Sequence, residues 1–318
     1  MWVKNTLTIF FISLLTFNVI SQDSQNINLL FHWSDNTLLP SVQHNNTYNE
    51  TWGFVQNGVE YGVIGSTWGT HIFDLSNPSN IIEVASVQGA YSDTFVVHRD
   101  YHDYDGYLYM VCDEGQGESK LRIVDLQYLP DSVSTVYVED SLFSRSHNIF
   151  IDTTYAKLYT CSGDNNPGVR VFSLTNPIIP EEIGILPLPS GSHDIYVRND
   201  TAFINDGSEG LLIYDFVDAA NPVLIGSLTS YPQKGYNHSG WLNEDGSLYV
   251  LADESHGKDL KILDVSDYSN ITVLDTMTSQ VDNPNSIPHN LMVKGDYVYV
   301  SYYFDGMVIY NYSDPQNP

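Results

Sequence analysis

The chain has 318 residues, room for one large hydrophobic core or two smaller ones. Its 12 Lys and Arg stand against 39 Asp and Glu, a formal net charge of −27. That charge repels phosphate backbones and anionic membrane surfaces, which argues against nucleic acid as a partner. The 23 Tyr and 13 Phe favour strands over helices.

At the N-terminus, Lys4 precedes the apolar run LTIFFISLLTF (7–17), and NVIS (18–21) ends in a small residue. This pattern reads as a secretory signal peptide over residues 1–21, cleaved near Ser21. The run is short for a membrane span, which needs about 20 residues. No later segment is apolar enough to cross a membrane as a helix. The expected location is therefore extracellular or at the cell surface, with no membrane insertion after cleavage.

From residue 22 onward the chain repeats. Histidines at 98, 147, 193, 238 and 289 are separated by 49, 46, 45 and 51 residues, and Trp52 lies 46 before the first. A period in the forties marks propeller blades or helical pairs. The interior of one unit decides between them. HDIYV (193–197), TAFIND (201–206), GLLIYDF (210–216) and PVLIGSL (222–228) are four short apolar runs separated by turn residues. Four strands without helical periodicity make one antiparallel propeller blade. The third strand recurs as GTHIFDL (69–75), KLRIVDL (120–126), GVRVFSL (168–174), GLLIYDF (210–216), DLKILDV (259–265) and GMVIYNY (306–312). The predicted fold is all-β, a propeller of four-stranded antiparallel blades over residues 22–318, with six repeats visible.

The segment INLLFHW (27–33) reads as a fourth strand without three strands before it. Two closures follow. Either it pairs with 306–312 to complete six blades, or the domain is C-terminally truncated and the full-length protein has seven.

The stretches LLFHWSD (29–35), YNETWGF (48–54), HRDYHDYDGYLYMV (98–111), SHNIFID (146–152), YNHSGWLNEDG (236–246), LADE (251–254) and PHNLMVKGDYVYVSYYFDGMVIYNYSDPQNP (288–318) carry a family resemblance. From about residue 27 onward the chain resembles the LVIVD-repeat propellers, and more closely the choice-of-anchor B group of exported bacterial proteins. The resemblance implies a secreted or surface-held propeller, and of the two closures it favours the truncated one, with seven blades in the full-length protein. It implies no reaction.

The innermost strand of a blade lines the channel, and the second strand returns beside it. His98, His147, His193, His238 and His289 precede first strands. Polar residues end second strands: Asp113 and Glu114, Ser162 and Asp164, Asn205 and Asp206, Asp253 and Glu254, Ser301 and Tyr302. Equal positions in equal units predict a ring of imidazoles at one channel mouth. Three uses of that ring remain open. The imidazoles can be hydrogen-bonding struts, with Asn148, Asp194 and Asn290 fixing their loops. They can hold a divalent metal such as Zn, Cu, Fe or Mn, with His147, His193, His238 and His289 as candidate ligands. Or the mouth can be a wide polar funnel for a small molecule, glycan or protein, with negative potential from Asp100, Asp194 and Glu254 and stacking faces from Trp52, Trp68 and Trp241.

The preferred reading is a monomeric binding module with a wide mouth. The alternative is a metal-dependent oxidase or hydrolase that uses the same histidines. His102 and His256 fall outside the repeated position and read as surface residues. DYDG (103–106) and NEDG (243–246) read as hairpin turns rather than calcium loops. Cys112 and Cys161 read as buried free thiols.

Overall fold

The structure is a computed structural model, and it describes residues 27–115, 120–139, 142–163, 168–279, 281 and 283–318. The signal peptide and Asp164 lie outside the described residues. Among the described residues, twenty-three strands form six antiparallel sheets, each built from consecutive strands. Blade one contains β1 (Tyr48–Gln56), β2 (Val59–Ser66), β3 (Gly69–Asp74) and β4 (Ile82–Gln88). Blade two contains β5 (Asp100–Tyr104), β6 (Tyr107–Val111), β7 (Leu121–Asp125) and β8 (Ser134–Glu139). Blade three contains β9 (Asn148–Asp152), β10 (Lys157–Cys161), β11 (Val169–Ser173) and β12 (Glu181–Leu186). Blade four contains β13 (Asp194–Arg198), β14 (Thr201–Asn205), β15 (Leu211–Asp215) and β16 (Val223–Leu228). Blade five contains β17 (Asn237–Leu242), β18 (Leu248–Asp253), β19 (Leu260–Asp264) and β20 (Thr272–Met277). Blade six has three described strands: β21 (Ile287–Lys294), β22 (Tyr297–Tyr303) and β23 (Gly306–Asn311). All six repeated runs are the third strands of blades, as the period predicts.

Turn chemistry fixes the strand pairing locally. Asn57–Gly58 joins β1 to β2, Asp105–Gly106 joins β5 to β6, and Asn199–Asp200 joins β13 to β14. Both residues of each pair have positive φ, the backbone of a two-residue turn whose twist matches the strands it connects. DYDG is therefore a hairpin turn.

Middle strands such as YLYMV (β6) are buried from their second residue onward, with Tyr107 half-buried. Alternate residues serve opposite faces, so each interior blade is sandwiched between two neighbours. Leu108 and Met110 pack with Phe54, Val63 and Ile72 of blade one, while Tyr109 and Val111 pack with Ile149, Ile151 and Leu158 of blade three. Comparable apolar cores join blades three to four, four to five and five to six. Cys112 and Cys161 are buried in this packing and are not joined by a disulfide.

Among the described residues, no such core joins blade six to blade one. Leu291, Val293, Val298 and Val300 bury one face of blade six against blade five. The opposite face carries Met292, Tyr297 and Met307, and Met307 is 62% exposed. A hydrogen bond from Asn290 Nδ2 to Glu50 Oε2, 2.9 Å long, spans the two blades near the axis. Residues 27–33 form no strand and do not pair with β23. Instead Trp33 packs on Tyr48, His71 and Phe73, with ring centroids 4.9–5.4 Å away. The strand exchange that would close six blades is thus absent, because the N-terminal segment lies against blade one.

The loop after β18 is pinned by a buried ion pair. Lys261 Nζ lies 2.6 Å from Asp253 Oδ2, with both side chains fully buried. Lys261 also donates to Gln233 O at 3.0 Å, and the Tyr231 hydroxyl donates to Asp253 Oδ1 at 2.7 Å. Removing one partner leaves the other as an uncompensated buried charge. Asp253→Ala should cost about 3–5 kcal/mol of unfolding free energy in urea titrations. A loss below about 1 kcal/mol would show that the pair is not buried in solution.

Candidate functional site

Strand register builds the channel wall in tiers. Asp100 pairs with Val111, Asn148 with Cys161, Asp194 with Asn205 and Ser239 with Ala252. Thr51 pairs with Ile64 and Leu291 with Val300, so Glu50 and Asn290, each one residue earlier, occupy the same level. Glu50, Asp100, Asn148, Asp194, Ser239 and Asn290 therefore form one polar tier, one residue from each blade. Two residues further along each strand stand Trp52, His102, Phe150, Tyr196, Trp241 and Met292. The period of two aims these at the same space.

The histidines sit on the other side of the polar tier. Adjacent residues of a regular strand point to opposite faces, so a histidine beside a channel-facing residue needs irregular backbone. His147 and His193 lie just before their strands. His238 and His289 lie where the register shifts, between Asn237 and Ser239 and between Pro288 and Leu291. Such bulges re-aim side chains.

The five imidazoles gather, as equal position predicts. Ring centroids are 4.7 Å apart for His98 and His147, 4.6 Å for His147 and His193, 4.1 Å for His193 and His238, and 4.2 Å for His238 and His289. This is a tight arc, and the expected wide funnel is corrected by these distances. Blade one places Asn49 at the histidine position, so Trp52 is not a counterpart of the histidines.

Three carboxylates reach the arc. Asp113 Oδ2 lies 2.7 Å from His147 Nδ1 and Asp113 Oδ1 lies 3.6 Å from His98 Nδ1. Glu114 Oε1 lies 3.0 Å from His98 Nδ1. Glu254 lies 3.6 Å from His238 Nε2 and 4.0 Å from His289 Nε2. The other expected strand-two residues do not take part. Asn205 binds Asn237 and Tyr249, Asp206 accepts from Ser190, and Ser162 donates to the Ser192 carbonyl. From the last blade it is Tyr303, not Ser301 or Tyr302, that packs on a histidine, 4.9 Å from His289.

The arc is charged at one end and neutral at the other. Burial alone would lower the His98 pKa, but the hydrogen bonds and charges of Asp113 and Glu114 raise it to about 10. Burial, aided by neighbouring imidazoles, lowers His193 to about 3 and His289 to about 4, and pushes His238 well down. Asp113, although buried, is held far below the usual carboxylate range by His147 and His98.

Below the arc lies a cavity of about 530 Å³, bounded by the polar tier and the ring-bearing tier. Tyr299, Ser301 and Met307 also line it, so it opens along the uncovered face of blade six. Burial raises Glu50 to about 7 and Asp194 to about 6, and raises Asp100 as well, with Glu50 adding to that shift. Backbone amides fix the carboxylates: Ile149 N donates to Asp100 at 2.6 Å and Ile195 N donates to Asp194 at 2.7 Å. The rings form a continuous collar. Successive centroids from Trp52 through His102, Phe150 and Tyr196 to Trp241 are 4.6–5.1 Å apart.

All eleven expected site residues line the mouth or the cavity, but in two separate levels. His98, His147, His193, His238, His289 and Glu254 form the arc. Asp100, Asn148, Asp194, Asn290 and Trp241 line the cavity. His102 is buried in the collar rather than on the surface, because its two-residue offset from Asp100 turns it inward. His256 is exposed, as expected. Trp68 packs near His71, away from the cavity. The sequence reading missed Glu50, Phe150 and Tyr196. Counting two residues on from each polar residue that follows a histidine would have found the last two.

The fold defines the class, a six-bladed β-propeller, and LVIVD repeats lie within it. The LVIVD repeat matches residues 64–89, 191–230, 249–278 and 288–318. No curated protein matches the sequence. Among solved structures, a Lactobacillus plantarum protein has a TM-score of 0.58 at 14% identity, covering 77% of each chain. The periplasmic gluconolactonase of Pseudomonas aeruginosa has 0.59 at 14% identity, covering 82% of this chain and 76% of the other. Sqt1 of Saccharomyces cerevisiae has 0.56 at 11%, covering 81% and 69%. Identities this low show a shared fold. No described helix is long and apolar enough to cross a membrane.

The His98 environment makes a pH-dependent claim. A histidine with a raised folded pKa contributes stability that is complete below about 6.5, the unfolded value. That contribution is lost as pH rises through about 10. NMR titration should find His98 protonated at about pH 8, and Asp113→Asn should return it towards the ordinary histidine range. A wild-type His98 that titrates near 6.5 would contradict the ion pairing.

Proposed function

We propose that the chain is a ligand-binding propeller whose central cavity takes a small polyhydroxylated molecule of the sugar or sugar-lactone class. The observation that carries this reading is the stacking of one polar residue per blade directly on a collar of aromatic rings. Asn148, Ser239 and Asn290 both donate and accept hydrogen bonds. Glu50 and Asp194, with pKa values of about 7 and 6, do the same while partly protonated. Hydroxyl groups need that mixture, and the apolar faces of a sugar ring suit Trp241, Tyr196 and Phe150. The volume of about 530 Å³ falls within the range of about 300–1,000 Å³ usual for small-molecule sites. A sugar-derived ligand also agrees with the name of one structural neighbour, a gluconolactonase.

Titration calorimetry against a panel of monosaccharides, disaccharides and sugar lactones tests the proposal. One class should bind saturably, and Trp241→Ala and Asn290→Ala should each weaken it at least about tenfold. No heat from any member of the panel, or unchanged affinity in both variants, would overturn it.

Export belongs to the same proposal. Its support is Lys4 followed by the short apolar run and the small residue Ser21. N-terminal sequencing of the protein recovered outside the cell should find a start near residue 22. Protein that keeps Met1 and stays in the cytoplasm would contradict export.

A further inference from the structure

One end of the imidazole arc is poorly explained by hydrogen bonding. The His238 side chain is 2% exposed, and its Nδ1 is buried without a partner. Its Nε2 faces Glu254 Oε2 at 3.6 Å, beyond the length of a hydrogen bond to oxygen, about 2.7–3.2 Å. The Nδ1 of His193 is also buried and without a partner. The gap to Glu254 is from His238 Nε2, so an ion there does not relieve His238 Nδ1, and the unpartnered nitrogen open to it is that of His193. Leaving that group unsatisfied costs about 1–3 kcal/mol, and the His98 end shows that this arc can supply carboxylate partners at 2.7–3.0 Å.

The spacing suits a different interaction. His193, His238 and Glu254 each offer a ligand atom, and these atoms all lie within 4.8 Å of one another. Two donors on a tetrahedral ion with bonds of about 2.0–2.2 Å stand roughly 3.3–3.6 Å apart. The gap of 3.6 Å between His238 Nε2 and Glu254 Oε2 is too long for a hydrogen bond and right for a shared ion.

We propose that His193, His238 and Glu254 bind one divalent zinc-type ion at the channel mouth. Two neutral imidazoles and one carboxylate are a borderline-soft donor set that suits zinc and disfavours calcium or magnesium, which demand oxygen ligands. Three protein ligands leave one coordination position for water. The Asp253–Lys261 ion pair supports the site by pinning the backbone that presents Glu254. The His98–Asp113–His147 group also has metal-like spacing, and Asp113 Oδ1, 3.6 Å from His98 Nδ1, lacks a hydrogen-bond partner. Both imidazole nitrogens that face it are already taken, however, His147 Nδ1 by Asp113 Oδ2 at 2.7 Å and His98 Nδ1 by Glu114 Oε1 at 3.0 Å. The ion is therefore assigned to the His238 end.

The full chain, stripped with EDTA and re-equilibrated with zinc chloride in the absence of any sugar, is assayed for bound metal by atomic emission. The expected result is one zinc per chain. Cobalt substitution should give the visible absorption of tetrahedral nitrogen and oxygen coordination. Glu254→Gln, isosteric on a partly exposed side chain and therefore compatible with folding, should weaken zinc at least about tenfold, as should His193→Ala, while His98→Ala retains it. Absence of zinc binding at roughly 100 μM metal would overturn the assignment. So would unchanged affinity in both Glu254→Gln and His193→Ala, or loss of zinc on His98→Ala. The assay needs no sugar, so its outcome is separate from that of the cavity.

Discussion

Burial of both faces of each interior blade is the constraint on which the rest depends. A sheet whose middle strands read YLYMV or KLYTC is apolar on alternate residues and on those between them. It has no face to give to water. Neighbours on both sides satisfy it, and the twist of each sheet turns that stack around an axis. Radial order then places the innermost strand of every blade at the same distance from the axis. A residue type repeated at one position becomes a tier without any contact having specified it.

The tiers differ in character because the strand and its entrance obey different rules. Inside the strand, a step of two residues returns to the channel, which stacks the aromatic collar on the polar tier. At the entrance, loops and bulges release the backbone from strict alternation, and the histidines turn inward beside residues that already do so. The chemistry of the mouth thus rests on irregular backbone, whereas that of the cavity rests on regular backbone. Low access to water is common to both. It holds His193, His238 and His289 neutral and keeps Glu50 and Asp194 partly protonated near neutral pH.

The packing rule is left incomplete at one place. Blade six buries its inner face against blade five and leaves Met292 and Met307 uncovered, with no apolar core towards blade one among the described residues. Trp33 covers part of the corresponding face of blade one. The cavity reaches this opening, so the ligand space and the uncovered face share a wall. The hydrogen bond between Asn290 and Glu50 nevertheless joins the polar tier across the gap.

Period, turn residues and six copies of one apolar strand determined the architecture in the sequence itself, because blades are local units whose strands pair with their sequence neighbours. The same regularity made the gathering of His98, His147, His193, His238 and His289 legible. Tertiary structure alone decided how closely they gather. Ring-to-ring distances of 4.1–4.7 Å depend on bulges at His238 and His289 that leave no mark in composition. It also decided which carboxylates arrive. Asp113, Glu114 and Glu254 reach imidazoles, while Asn205, Asp206 and Asp253 turn into other hydrogen bonds, because side-chain direction after a strand ends is set by the loop. His102 became a buried ring for a reason that its spacing contained, the two-residue step from Asp100. The fate of residues 27–33 was not contained there. An apolar segment reads alike whether it joins a sheet edge or leans on a sheet face, and only the partners available in space distinguish the two.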